Sequence, residues 1–593
     1  MVLREEEHPI RSNDMSCILG VTAFHPDSSA CIVVDGVLKA AIAEERLGKR
    51  IKHDTGFPFR AIEKVLSISS VDITDVTHIA IARDPRANVC AKIGYSLRHP
   101  AKVLPRLNLF SRRHRKTVSI PDQIFNYFNK PYNPQQTKFV CVEHHLAHIA
   151  SAYYVSPFES LTAALSYDGS GDFASTMAAR CEGTKIEVID RVVMPDSLGI
   201  FYTAMCQFIG FDGFGEEYKV MGLAPYGEDK YAEAMGKLLT LQNNGWYQLL
   251  KNAFGTYDGI ESGTMDENGH ILMGCQYTQK IIDLLGIPRK RSDTLTQREK
   301  DIARSCQVRF EEAAVHCVKR LHQLVPTRQL TMAGGCALNG VANARILRDT
   351  PFTDVYLQSA ASDEGTSLGA AYWCYHNIAG GINRYHMSHA YWGPEYSAVE
   401  IKQAVESASL VFEELPDNLL FERIVGLLRE GKVIGWYQGR SEWGPRALGN
   451  RSILADPTNP NMKDIINAKI KRRESFRPFA PSVLAEKVKD YFEQDVKSPF
   501  MMHVVKFKPE WRAKLPAVAH VDGTGRLQSV TREENPRYYE LISRFADVSG
   551  VGILLNTSFN ENEPVVDTPQ QAINCFLRTD MDVLCLNNIL VVK

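Results

Sequence analysis

The sequence predicts an α/β protein: a duplicated strand–hairpin domain followed by a smaller α/β unit. Three observations predict it. A strand–turn–strand–turn–strand pattern occurs twice, Gly-rich turns later join strands to helices, and the composition changes after His376. At 593 residues the chain exceeds what one core supports and needs at least two domains.

Ser16 to Arg46 supplies the first unit: CILGVTAF, the acidic turn HPDSS, ACIVV, an Asp35-Gly36 turn and VLKAAIAEER. Leu161 to Val192 repeats the plan with LTAALSY, DGSGD, FASTMAAR, a Glu182-Gly183 turn and TKIEVIDRV. A turn of this kind between alternating apolar runs signals a hairpin. Two such units with acidic first turns fit the two lobes of an actin-like ATPase fold, whose first turns face each other across a nucleotide cleft. Phe59 to Ser67 and Lys300 to Leu324 carry apolar residues at helical spacing. Arg328 to Gly365 then reads as strand, Gly334-Gly335 turn, helix, strand and an acidic turn opening another helix. Such a Gly-rich turn offers free N–H groups to a phosphate or nucleotide. The stretch NIAGGINRYHMSHAYWGPEYS reads as the interdomain connection, giving domains over 1–385 and 386–593. Leu241 to Ser292 reads as an insertion.

Composition narrows the function classes. Apolar content of 44% and charged content of 23% are those of an ordinary globular protein. A net charge of -1 without a charged tail argues against bulk nucleic-acid binding. No apolar run reaches membrane-spanning length, so no membrane partner is expected. Thirteen dispersed cysteines without a C-x-x-C pair fit free thiols in a reducing compartment. The polar start MVLREEEHPIRSND does not read as a signal-peptide core, and a cytoplasmic location is expected.

Two constellations carry chemistry. From Gly439 to Ser482, nine Lys and Arg residues are interleaved with Gly, Pro, Ser and aromatics. Arginines held in such loops present rigid donor forks suited to phosphate or carboxylate. The alternative is a structural ion-pair network. The second constellation is Glu143-His144-His145-Leu146-Ala147-His148. On a helix, His144 and His148 share one face and suit one metal, while His145 points elsewhere. Asp168 and Asp363, each expected at a strand end, would converge on them, and mixed N and O donors suit iron, zinc or manganese. His25 and Asp27 lie in the first acidic turn, where a histidine could deprotonate an acceptor hydroxyl or simply bond within the turn. Lys219, in EYKVMG, reads as a phosphate contact or an ordinary lysine.

Taken together, FHPDSSACIVVDG, AEERLGKRIKHDTGFP, EHHLAHIASAYY, EYKVMGLAPYG, GGCALNGVAN, SDEGTSLGAA, GRSEWGPRALGNRSILADP, NAKIKRRESFRPFAPSV, HVDGTGRLQSV and LLNTSFNENEPVV resemble the carbamoyltransferase family of nodulation-factor and antibiotic O-carbamoyltransferases. One departure is Pro26, which separates His25 from Asp27 where many members read His-Asp. The resemblance spans Ser16 to Val566. It implies an actin-like (Kae-type) transfer domain followed by a YrdC-like α/β domain. Carbamoyl phosphate and ATP, with Mg²⁺, would give carbamoyl adenylate in the second domain. The first would pass the carbamoyl group to an alcohol of a small molecule such as a sugar, aminoglycoside, macrolide or polar toxin alkaloid. Carried over, Arg446, Lys471, Arg477, Arg526 and Ser558 would hold carbamoyl phosphate and nucleotide phosphates, with Asn556 nearby. His144, His148 and Asp363 would hold a metal, iron by resemblance, with Asp168 close. Lys219, Gly334, Gly335 and Asn339 would contact the nucleotide in the first domain, and His25 with Asp27 would be catalytic. A homodimer is compatible with this reading. Two other readings share these domains: a tRNA threonylcarbamoylation-type enzyme, against which the neutral charge speaks, and a non-catalytic nucleotide-binding regulator, against which the Arg/Lys set speaks.

Overall fold

In the computed structural model, which describes residues 15–100, 114–255, 264–265, 271–474 and 476–593, both turns close the hairpins expected of them. The polar start 1–14 and part of the 241–292 stretch lie outside the described residues. Strand Cys17–Thr22 pairs antiparallel with Ser29–Val34, which pairs with Val37–Ala43. On its other side Cys17–Thr22 runs parallel to His78–Ile81, and that strand to Lys138–Cys141. The second sheet repeats order and sense: Thr162–Gly171, Ala174–Glu182 and Lys185–Val193 are antiparallel, followed by parallel Gln329–Ala333 and Asp354–Leu357. This repeated topology is that of the actin-like ATPase fold. The central strand Cys17–Thr22 is buried at every position, which is why its sequence is an unbroken apolar run.

Helix His144–Tyr153 leaves the first sheet and lies on the second. Helix Thr366–Asn377 leaves the second and lies on the first, and the two helices pack on each other. Their backbones meet because residue 369 is glycine: a Cβ there would stand 1.8 Å from the Ala147 carbonyl oxygen. Helix Gln297–Leu324 backs the second sheet, its start fixed by a reciprocal cap between Thr296 and Glu299.

The remaining chain builds one mixed sheet of nine strands, in which Ile434–Tyr437, Arg451–Ala455, Ile553–Ser558, Ala480–Leu484 and Thr524–Val530 are consecutive neighbours. It docks on the first part through specific bonds. Arg46 Nη2 donates to the Gly444 carbonyl at 2.7 Å, Arg50 Nη2 to the Pro564 carbonyl at 2.6 Å, and Asn343 Nδ2 to the Met502 carbonyl at 2.8 Å. Among the described residues, no helix is long and apolar enough to cross a membrane.

Candidate metal and anion site

Helix His144–Tyr153 begins with Glu143, whose carboxylate accepts the Leu146 N–H at 2.7 Å. That fixes the first turn and sends His144 and His148 to one face, both buried. His145 turns away to Ser166 Oγ at 2.7 Å, and burial, with His144 and His148 nearby, keeps its imidazole well below the usual range. Four ligand-type atoms then converge. His144 Nε2 and His148 Nε2 lie 3.1 Å apart. Asp168 Oδ2 is 3.5 and 3.3 Å from them, and Asp363 Oδ1 is 3.4 Å from each. Four donors about 2.0–2.1 Å from one ion stand about 3.3–3.4 Å apart if tetrahedral. Asp363 Oδ1 is buried without a hydrogen-bond partner, as an oxygen aimed at a cation would be. The residues present therefore fit a first-row divalent metal.

The electrostatics agree. Burial would raise both carboxylates, and the Asp363 charge adds to that for Asp168, yet hydrogen bonds from His144 and His148 pull Asp168 below the ordinary range. Asp363 is held well below it against the same burial penalty, through the charge of His25 and the nearness of His144 and His148. Two anionic carboxylates inside protein call for a compensating cation.

The two aspartates arrive differently from the expectation. Asp168 sits within strand Thr162–Gly171, at an irregularity in its pairing after Tyr167, rather than at its end. Asp363 opens the short helical turn Asp363–Gly365, beyond the strand Asp354–Leu357. Gly335 holds Asp168: its N–H donates to Oδ1 at 3.1 Å, which leaves Oδ2 for the histidines. Gly334 supplies the left-handed turn before it, with φ of 98°.

His25 Nδ1 contacts the second oxygen of Asp363, and its ring centroid lies 5.2 Å from that of His144. Asp27 pairs through Oδ1 with His53 Nδ1, 2.7 Å away, and its Oδ2 accepts from Ser362 Oγ at 3.3 Å. Burial would lower His53, but the Asp27 charge and hydrogen bond raise it to about 9. Phe24, Asp27, Arg50 and His53 all have φ between 57° and 62°. Such strained non-glycine backbone concentrates where a site must be held open.

The basic stretch divides into two kinds of residue. Arg440 and Arg451 donate to backbone carbonyls, and Arg451 lies 3.7 Å from the Tyr437 ring centroid, so for these two the structural reading holds. Arg446, Arg473, Arg477 and Arg526 instead crowd together. Burial and then the charges of Arg446, Arg477 and Arg473 push Arg526 far below its usual value. Burial lowers Arg446 to about 10, opposed by Glu364, and burial with Arg477 lowers Arg473 to about 9. Guanidinium groups stay charged at neutral pH, so these depressions express the cost of gathering half-buried like charges. Among the described residues the Arg526 side chain has no hydrogen-bond or ion-pair partner, and the buried Nε of Arg446 and Nη2 of Arg473 also lack one. Lys52, from the first sheet's loop, joins them. Its side chain is exposed, and the protein around its ammonium, with the charge of Arg477, depresses it.

The other candidates are already engaged. Lys471 donates to the Ser558 carbonyl at 2.6 Å, the Asn560 carbonyl at 2.8 Å and Asn560 Oδ1 at 2.7 Å, pinning that loop. Ser558 Oγ donates to Asn560 Oδ1. Asn556 is fully buried and its Nδ2 serves Ala447, Ser482 and Gln528. Asn339 caps helix Gly340–Asp349 and exchanges bonds with Gln307. Lys219 bridges the two parts of the molecule, 2.6 Å from Glu216 and 2.8 Å from Glu474. His53, Lys52 and Arg473 were not among the sequence candidates. Arg473 was visible in the basic stretch, and Lys52 and His53 lie in the family-like stretch AEERLGKRIKHDTGFP, which gave neither of them a role.

Comparison with known proteins decides the family. Residues 17–372 match the carbamoyltransferase N-terminus and residues 425–593 the carbamoyltransferase C-terminus. The chain belongs to the carbamoyltransferase family. Nodulation protein NolNO of Sinorhizobium fredii is 37% identical over 96% of this chain and 79% of its own length. An uncharacterised Synechocystis protein, sll1178, is 36% identical over 98% of this chain and 97% of its own length. Among solved structures, component A of the Acidaminococcus fermentans (R)-2-hydroxyglutaryl-CoA dehydratase aligns with 61% of this chain and 99% of its own, at 14% identity and a TM-score of 0.31. This protein is a carbamoyltransferase whose two family regions coincide with the duplicated sheets and with the nine-stranded sheet.

Proposed function

We propose that this carbamoyltransferase uses carbamoyl phosphate and ATP to carbamoylate an alcohol of a small-molecule acceptor in two steps. Carbamoyl phosphate, ATP and one water give carbamoyl adenylate, pyrophosphate and phosphate. The alcohol then attacks the carbamoyl carbon, a carbamate ester forms and AMP leaves. The adenylate step is assigned to the YrdC-like domain, 386–593, and transfer to the actin-like domain, 1–385.

One observation carries the reading. Arg446, Arg473, Arg477 and Arg526, with Lys52 facing them, form a half-buried positive cluster that repels itself, balanced at its edge by Glu474 beside Arg477 and by Glu364 near Arg446. Such a cluster is costly unless a polyanion completes it, and bringing two phosphate esters together needs such fixed cations. Lys471 supports the cluster by holding the Ser558–Asn560 loop in place. Mg²⁺ would accompany the ATP phosphates.

In the transfer site, His144, His148, Asp168 and Asp363 would hold a first-row divalent ion, iron among them. When bound, that ion supplies Lewis-acid polarisation of the carbamoyl oxygen. His25, against the far oxygen of Asp363, would take the proton of the attacking hydroxyl. Gly335 orients Asp168, and Asp27 with His53 braces the turn that carries His25.

Purified protein given ATP and carbamoyl phosphate without acceptor tests this directly. Carbamoyl adenylate and pyrophosphate should accumulate in the parent and disappear in Arg526→Ala. Absence of any adenylate from the metal-replete parent, with carbamoyl phosphate and ATP both present, would sink the proposal.

A further inference from the structure

Among the described residues, Glu474 is the carboxylate in ion-pair contact with the cationic cluster, and it sits on irregular backbone. After the π-helical turn Asn467–Lys471, a rare form that concentrates at functional positions, Arg472 takes left-handed backbone with φ of 43°. Arg473 and Arg477 follow as cluster members, and Glu474 stands between them in the chain. Its carboxylate is shared across the two parts of the molecule: Oε1 lies 2.8 Å from Lys219 Nζ and Oε2 3.6 Å from Arg477 Nη1. Neither cation depends on it. Lys219 has Glu216 at 2.6 Å and the Phe211 ring centroid at 5.0 Å, and Arg477 lies 4.6 Å from the Tyr218 ring centroid. The Glu474 side chain is 32% exposed, against 7% for Lys219 and 20% for Arg477. Of the three, it is the one that returns to water at little cost.

We propose that Glu474 is an internal competitor for the polyphosphate that the cluster binds, and so sets the affinity an anion must have to enter. In the ligand-free protein its carboxylate holds the place of a phosphate between Lys219 and Arg477. An incoming phosphate turns it out to solvent and meets the same two cations, which stay where their other neighbours hold them. A singly charged ion replaces the carboxylate with no more charge than it removes and gains nothing by entering. A polyphosphate brings further charge to Arg446, Arg473 and Arg526, whose unpaired donors it satisfies. Glu474 thereby keeps weakly held ions out, a role that rests on the cluster being the phosphate site proposed for it.

Calorimetric titration of the full chain with pyrophosphate tests this on the parent, Glu474→Gln and Glu474→Ala. Both variants should bind pyrophosphate about three- to fivefold more tightly than the parent, the scale of one partly exposed ion pair. The sign of the change separates this role from a structural one. Were Glu474 only a brace between the two parts, its loss would loosen the cluster and weaken binding. Two variants of different shape guard against an effect of the substituted side chain, since the charge is what competes. Variants that bind pyrophosphate like the parent, or more weakly, would overturn the inference and leave the phosphate site standing. No binding by any of the three proteins would refute the cluster as a phosphate site, and this role of Glu474 with it.

Discussion

Gly335→Ala isolates the role assigned to Asp168. Gly335 does not occupy left-handed backbone, so alanine brings no conformational strain there. An added Cβ would stand 2.7 Å from Asp168 Oδ1, while its other neighbours, Ser362 Oγ and Asp168 Cγ, are at ordinary contact distances of 3.7 and 3.8 Å. The carboxylate must retreat by about 0.7 Å to reach ordinary contact, and it weakens the 3.1 Å bond that orients it. Oδ2 then leaves its place 3.3 Å from His148 Nε2. Metal sites tolerate about 0.2 Å in ligand position, and losing an orienting partner costs about 10–100-fold in metal affinity or activity. Metal content by elemental analysis, affinity by competitive chelation and transfer from preformed carbamoyl adenylate would measure it. Metal affinity and transfer should fall together within that range, with adenylate formation unchanged. Parent-like metal affinity and transfer would refute Asp168 as a ligand, and lost transfer at full metal occupancy would refute the link between them.

Two other outcomes follow from the electrostatics. Arg526→Met should cut adenylate formation by about 100-fold or more, yet raise the ligand-free thermal midpoint by about 1–3 °C, because a repelled, unpaired charge leaves the interior; a lowered midpoint in a scanning melt would contradict the cluster's strain. His53 is raised from 6.5 to about 9 against Asp27, so its stabilisation is full below pH 6.5 and lost as pH rises through about 9. The midpoint difference between parent and His53→Gln should therefore be largest near pH 6 and shrink across that window; a difference that grew with pH would reverse the assignment.

What could be read from the sequence was local. Asp35-Gly36 and Glu182-Gly183 announce hairpins because the turn chemistry and the alternation lie within ten residues. His144 and His148 announce a shared face because helical spacing alone puts them there. The expectation of converging strand ends brought Asp168 and Asp363 to the same list, and the motif SDEG added to it for Asp363, although neither sits at a strand end. The partnership of Asp27 with His53 was not legible, since it joins two loops through left-handed residues that no periodicity marks. Nor did the sequence distinguish Arg451, spent on carbonyls, from Arg446, which keeps a buried nitrogen unpaired. Both stand beside Gly-Asn or Gly-Pro, and only long-range packing tells them apart. The same holds for Lys219 and Asn339, whose donors are taken by residues far along the chain.

The exchange of helices between the two sheets has a further consequence. His144 starts the helix that crosses from the first sheet to the second, and Asp363 immediately precedes the helix that crosses back. Asp168 belongs to the second sheet itself. All four donors thus follow the last strand of the first sheet, Lys138–Cys141, along the chain, and the helix that carries the histidines lies on the second sheet. The first sheet would bear on an ion held there only from outside, through His25 against Asp363 and through the helix Thr366–Asn377 that it supports. A chain begun at residue 142 would keep the whole donor set, and its metal content would report whether the second sheet can close the cage unaided.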